Sequence, residues 1–234
     1  MTPEWQPPAQ RFVIAQSWWI AGELVRRHPD LRLIETHPGG GLYDCLSLLT
    51  SEVRKPKVVI HFNRGGAIHV PGTPDSTQIS WASALATDDP HLIVKQLENA
   101  AGLSHPSPAP STSPAALAYR VIARILASLV NDKDTWDARN EQEDSSDGGW
   151  GPQNFVQNFP RAAELAQIPR PDDLSGEPGY RFWALLKSRL PVAIFDTDGR
   201  VHLSGEQYDL PSIYRQSGRS LSQTINISIG KILP

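Results

Sequence analysis

One cysteine, Cys45, stands among 234 residues, so no disulfide can form within the chain. That scarcity fits a reducing compartment such as the cytosol. An excess of one charge is missing as well: 22 basic residues face 25 acidic ones, for a net charge of −3. No basic stripe is available to neutralise phosphates, so nucleic acid is not an expected partner. No apolar run reaches the roughly 18 residues that a membrane span needs. The opening Met1-Thr2-Pro3-Glu4-Trp5 lacks the basic stretch and long apolar core of a signal peptide. The composition reads as a soluble cytoplasmic protein with no membrane partner.

What the chain does have is length enough for a substantial core and 21 prolines, whose clustering divides it. From Arg11 to His28 the apolar residues recur at helical spacing, with Trp18 and Trp19 near the middle. Arg26-Arg27-His28 suits the negative end of the helix dipole, and Pro29 stops the helix. Two strand-like runs follow, Leu31 to His37 and Leu42 to Thr50, separated by Pro38-Gly39-Gly40-Gly41; this predicts a β-hairpin. A second hairpin joins Lys57–Phe62 to Ala67–Val70. Placing Val58, Ile60, Phe62, Ile68 and Val70 on one buried face needs the odd loop Arg64-Gly65-Gly66, and His61 and His69 then lie opposite each other on the other face. Ser80 to Leu85 reads as a short helix. Asp89 is the expected N-cap of a helix from His91 to Leu103, with Pro90 at its first position and a stripe of Leu92, Ile93, Leu97, Ala100 and Ala101.

Ser104 to Pro114 alternates proline with small polar residues and reads as a linker. Beyond it, Ala115 to Val130 is a strong helix, apolar on most faces. Asn131 to Gly149 reads as a polar loop, Trp150 to Phe159 as irregular chain, Arg161 to Gln167 as a short helix, and Gly179 to Arg189 as a helix. Pro191 to Leu203 forms a hairpin; taking Asp198-Gly199 as its two-residue loop pairs Ile194 with Leu203 and Phe195 with His202. The alternating Thr224–Leu233 segment reads as a last edge strand. The expected organisation is an N-terminal α-β-β-β-β-α domain over 1–103, a linker over 104–114, and a smaller α+β half over 115–234 that holds helix 115–130 and hairpin 191–203.

Tests for chemistry find no catalytic motif. Gly39-Gly40-Gly41 lacks the spacing and the following helix of a phosphate loop. Asp44 and Cys45 are neighbours on a strand, so their side chains point to opposite faces and cannot share one site. A lone cysteine in an apolar strand reads as a small buried hydrophobe. His61 and His69 alone are a poor metal site, because zinc wants a third protein ligand. Asp196 and Asp198 flank a turn, where aspartate serves local hydrogen bonding. No cofactor is expected. The enzymatic alternative is a metal-dependent or other hydrolase built around His37, His61 and His69, with Asp44 nearby; a structural subunit of a larger assembly is the other.

The features Ser17-Trp18-Trp19, His37-Pro38-Gly39-Gly40-Gly41, Tyr43-Asp44-Cys45-Leu46 and the strand after them carry a resemblance. The stretch over about residues 11 to 70 resembles the actinobacterial TY-Chap family of peptide-binding chaperones, grouped with type III secretion chaperones and YbjN-like proteins. Phe182 to Leu203 looks similar too. The resemblance implies an α+β fold, a curved antiparallel sheet backed by helices, in a non-catalytic chaperone or adaptor. It implies a protein or peptide partner, bound as a homodimer or in a hetero-complex. Trp18, Trp19, Tyr43, His61 and His69 are the expected contact residues for that partner.

Overall fold

A computed structural model describes residues 10–36, 45–50, 56–61, 67–103, 113–128, 136–142, 152–168, 181–188, 190–196, 198–203 and 206–215. The chain divides into two compact units, Met1–Ala127 and Ser128–Pro234.

The first unit opens with helix α1, Gln10–Arg27, which ends in Arg26 and Arg27. Val13, Ile14, Trp18, Ile20, Ala21, Leu24 and Val25 are all buried, so the helix is enclosed on most sides rather than lying on a surface. Strands β1 (Leu31–Thr36), β2 (Cys45–Thr50), β3 (Val58–His61), β4 (Ala67–His69) and β5 (Ile79–Ser80) follow. They form an antiparallel sheet in the order β1-β2-β3-β4-β5. Leu46 pairs with Ile60, Ile60 with Ile68 and Ile68 with Ile79, so one buried apolar row crosses four strands. The first hairpin thus pairs as its composition predicts, while its glycine tip, like the Arg64-Gly65-Gly66 loop, lies outside the described residues.

The second hairpin keeps its faces and changes its register. Val59, not His61, stands opposite His69, and the two histidines are diagonal neighbours on one face. This shift of two residues preserves the pleat, so Val58, Ile60, Ile68 and Val70 remain buried.

Helices α2 (Trp81–Ala86) and α3 (His91–Ala101) come next. Ser80 caps α2 by accepting from the Ser83 N–H. Asp89 Oδ1 accepts from the His91 N–H at 3.0 Å beside Pro90, whose helical dihedrals open α3. Gly102 at φ +67° ends it, letting the Leu103 N–H reach back to the Glu98 carbonyl at 2.8 Å. The helix is therefore shorter than the expected run to Leu103. Its buried stripe is Ile93, Val94, Leu97 and Ala101, with Leu92 61% exposed and Ala100 exposed.

Helix α4, Pro114–Ser128, is capped by Ser113, whose hydroxyl accepts from the Ala116 N–H. The compact units divide after Ala127, so α4 packs with the first unit, whereas the sequence reading assigns helix 115–130 to the C-terminal half. The reason is direct packing on α1. The Trp18 ring meets Tyr119 edge-on at 5.1 Å, and at Gly22 an added Cβ would lie 2.9 Å from Arg120 Cγ and 3.0 Å from Tyr119 Cβ.

The second unit holds β6 (Trp136–Gln142), α5 (Pro152–Asn158), α6 (Pro160–Leu165), β7 (Arg181–Lys187), β8 (Leu190–Asp196), β9 (Arg200–Leu203), β10 (Glu206–Asp209) and α7 (Leu210–Arg215). Its sheet is also antiparallel, in the order β10-β9-β8-β7-β6. Phe155 of α5 meets Phe182 of β7 edge-on at 4.9 Å, within a cluster that includes Ala163, Ala184, Leu186 and Ile194.

Several expectations for this unit are overturned. The stretch Gly179–Arg189, expected as a helix, contains β7. Phe182 to Leu186 are all buried, so the strand shows a continuous apolar run instead of alternation, a pattern that periodicity cannot tell from a buried helix. The stretch expected as a polar loop contains β6, an edge strand paired with β7 from Trp136↔Lys187 to Gln142↔Arg181. Within the expected irregular stretch, Pro152–Asn158 is helical. The last hairpin pairs Ile194 with His202 and Phe195 with Val201, one residue away from the expected register. Asp196 Oδ1 accepts from the N–H groups of Asp198 and Arg200, and Gly199 sits at φ +82°, so the loop is a three-residue turn closed by a left-handed glycine. The Thr224–Leu233 segment lies outside the described residues.

The close approach at Gly22 is testable. Gly22→Ala would gain up to about 1 kcal/mol of helix propensity, but overpacking against Tyr119 and Arg120 costs about 1–3 kcal/mol. We expect a net loss near 1 kcal/mol and a lower midpoint in urea denaturation; a raised midpoint would show that α1 and α4 separate freely there.

Candidate functional site

The residues singled out from the sequence fall in different settings. Trp18 is fully buried against α4 and presents no surface to a ligand. Trp19, one position on, is half-buried at the edge of α1, its ring edge-on to His91 of α3 at 5.1 Å. His61 and His69 are half-buried and brought together, with stacked rings 5.2 Å apart and 10° from parallel. Trp81 fixes this part of the sheet by donating its indole N–H to the His61 carbonyl at 2.6 Å. Tyr43, His37 and Asp44 lie outside the described residues. Among the described residues no group of three His, Cys, Asp or Glu side chains could hold a metal ion.

Two buried carboxylates organise the helices around α1. Glu98 of α3 is 4% exposed and receives Arg27 through both guanidinium contacts, Nε at 2.6 Å and a terminal nitrogen at 2.8 Å, with His28 Nε2 at 2.8 Å. This fork joins the C-terminal end of α1 to α3. Glu23, 1% exposed, is held by Arg26 one turn on, with His91 Nδ1 at 3.8 Å. Burial pushes the Glu23 carboxyl up; the Arg26 hydrogen bond and the charges of Arg26, Arg120 and His91 outweigh it, so its pKa lies below the ordinary value.

In the second unit Asp196 faces His202 Nε2 at 3.2 Å, both buried. Burial again pushes the carboxyl up, and the hydrogen bonds from His202 and from the Arg200 and Asp198 backbone bring it below its usual range. Because one Asp196 oxygen closes the turn and the other holds His202, the pair reads as framework.

A concave feature of the first unit that composition did not reveal lies between β4, β5 and α3. The buried Val70, Ile79 and Leu97 form its apolar floor, and the exposed Thr77, Gln96, Asn99 and Ala100 its rim, around a volume of about 200 Å³. Its residues come from three separate stretches, around Val70, Thr77–Ile79 and Gln96–Ala100, which is why no local motif announced it. Beside it, β5 is an edge of the sheet among the described residues.

The fold is thus α+β, with antiparallel sheets and packed helices. The chain belongs to the TY-Chap2 family: the family model described as T3SS (YopN, CesT) and YbjN peptide-binding chaperone 2 matches residues 15–234. No curated protein and no solved structure matches the chain. No helix among the described residues is long and apolar enough to cross a membrane.

The lowered carboxyl of Asp196 has a consequence in acid. Its contribution to stability is present in full above the unfolded pKa, about 3.9 for aspartate, and is lost as the pH falls through the lower folded value. Asp196→Asn is expected to cost about 2 kcal/mol at neutral pH, the scale of charge-assisted hydrogen bonds. It should also flatten the fall of the urea midpoint as the pH drops below about 4. An unchanged pH profile would contradict the role given to the pair.

Proposed function

We propose that the chain is a non-catalytic cytoplasmic chaperone or adaptor that holds an extended segment of a partner protein against its sheet and helix surfaces. The family match over residues 15–234 carries this reading, since the family is one of peptide-binding chaperones. The fold supports it through its edge strands. An extended peptide can add to a free sheet edge, where main-chain hydrogen bonds supply affinity and neighbouring pockets select side chains. Among the described residues the two-residue strand β5 ends the first sheet and could receive such a segment.

Half-buried rings support it as well. Trp19, His61 and His69 combine apolar faces with polar edges, the composition of adaptable contact surfaces; Tyr43 joins them in this reading, while Trp18 serves the packing beneath. A sheet curved around its helices and assembly as a homodimer or hetero-complex belong to the same reading.

The test is affinity capture of the full chain from its native host, followed by binding to overlapping peptides of the captured protein and mass measurement by light scattering. A reproducible partner, one of whose linear peptides binds alone, is the expected outcome, with a mass above that of the monomer. A monomer that captures no reproducible partner would contradict the proposal.

A further inference from the structure

We infer that the groove between β4, β5 and α3 is the specificity pocket of this surface and takes one uncharged, medium-sized apolar side chain from an extended peptide. The inference rests on the peptide-binding reading and adds to it where the anchor goes and what its chemistry is.

Size argues first. Sites for drug-sized molecules enclose roughly 300–1,000 Å³, and this groove encloses about 200 Å³. A cavity of about 150 Å³ lined by aliphatic groups holds a benzene ring, so one leucine, isoleucine, methionine or phenylalanine side chain is the scale that fits.

Polarity argues next. Val70, Ile79 and Leu97 are buried and apolar, and they leave an inserted carboxylate or ammonium without a partner. Neither charged residue of α3 within reach in sequence, Lys95 or Glu98, lines the groove; Glu98 is committed to Arg27 and His28. At the rim, Gln96 and Asn99 carry amides that both donate and accept, and Thr77 carries a hydroxyl. Amides at a rim suit the alternating N–H and C=O groups of a peptide main chain, while a charged rim would select charged side chains.

Position completes the argument. Ile79 belongs both to β5 and to the groove, where its buried side chain lines the same concavity as Leu97 of α3. A peptide strand placed beside β5 repeats that alternation, so its inward-facing residues fall on the groove side.

The experiment selects binders from a random dodecapeptide phage library on the intact chain, then measures the synthesised peptides by fluorescence anisotropy. We expect enriched peptides to share one Leu, Ile, Met or Phe, and replacement of that residue by Asp to weaken binding at least tenfold. Ala100→Phe, at an exposed position lining the groove, should fill the space and weaken binding by a similar factor with an unchanged thermal midpoint. Gln96→Arg, exposed on the rim, is the second variant if the first is destabilised, and should shift the selected anchor away from basic neighbours. Peptides that bind Ala100→Phe and Gln96→Arg as tightly as the parent chain overturn the pocket and leave peptide binding standing. A library that enriches nothing overturns both.

Discussion

Everything in the first unit depends on how α1 is enclosed. A helix buried on most sides cannot leave charged side chains unpaired, because an isolated buried charge is far too costly. Two carboxylates meet that constraint. Glu98 gathers Arg27 and His28 where α1 ends, and Glu23, from within α1, is surrounded by Arg26, Arg120 and His91. Only Glu23 is aligned by short-range helical geometry, with Arg26 one turn on; Glu98 reaches α1 from α3, and Glu23 approaches His91 of α3. The ionic ties fix which helices adjoin α1, while the apolar row Leu46–Ile60–Ile68–Ile79 supplies the burial that the sheet contributes.

That arrangement has a functional corollary. With α3 anchored through Glu98 and its apolar stripe, its other side keeps Gln96, Asn99 and Ala100 at the surface beside β5. Under the proposed function, a groove between a strand and a firmly held helix would need little ordering on binding a peptide. The membership of the chain in a family of peptide-binding chaperones gives that geometry its meaning.

The first unit was legible in the sequence because its signals are local. The α1 stripe ends at Arg26-Arg27, Asp89-Pro90 opens α3, and alternation marks the strands around Ile60 and Ile68. The second unit was less so. Phe182 to Leu186 carries no alternation because both faces are covered, and the turn after Lys187 uses Ser188 at φ +48° where a glycine or asparagine would have announced a hairpin. In β6, Asp137, Arg139 and Glu141 give an edge strand the composition of a loop. The register of the last hairpin turned on a side chain, Asp196 accepting two backbone N–H groups, which no pattern of apolar residues encodes. The groove escaped for another reason: Val70, Thr77, Ile79 and Leu97 are ordinary residues individually, and only the packing of α3 on the sheet edge brings them together. Of the aromatic pair that stood out, Trp18 went to the core and Trp19 to its margin.

The central claim is that a partner's extended segment lies along β5 and the outer side of α3. Hydrogen–deuterium exchange of the full chain, alone and saturated with a captured partner, tests it most directly. Added protection concentrated over Thr77–Ser80 and Gln96–Ala100 is the predicted result. Exchange that the partner leaves unchanged in both segments would contradict the account.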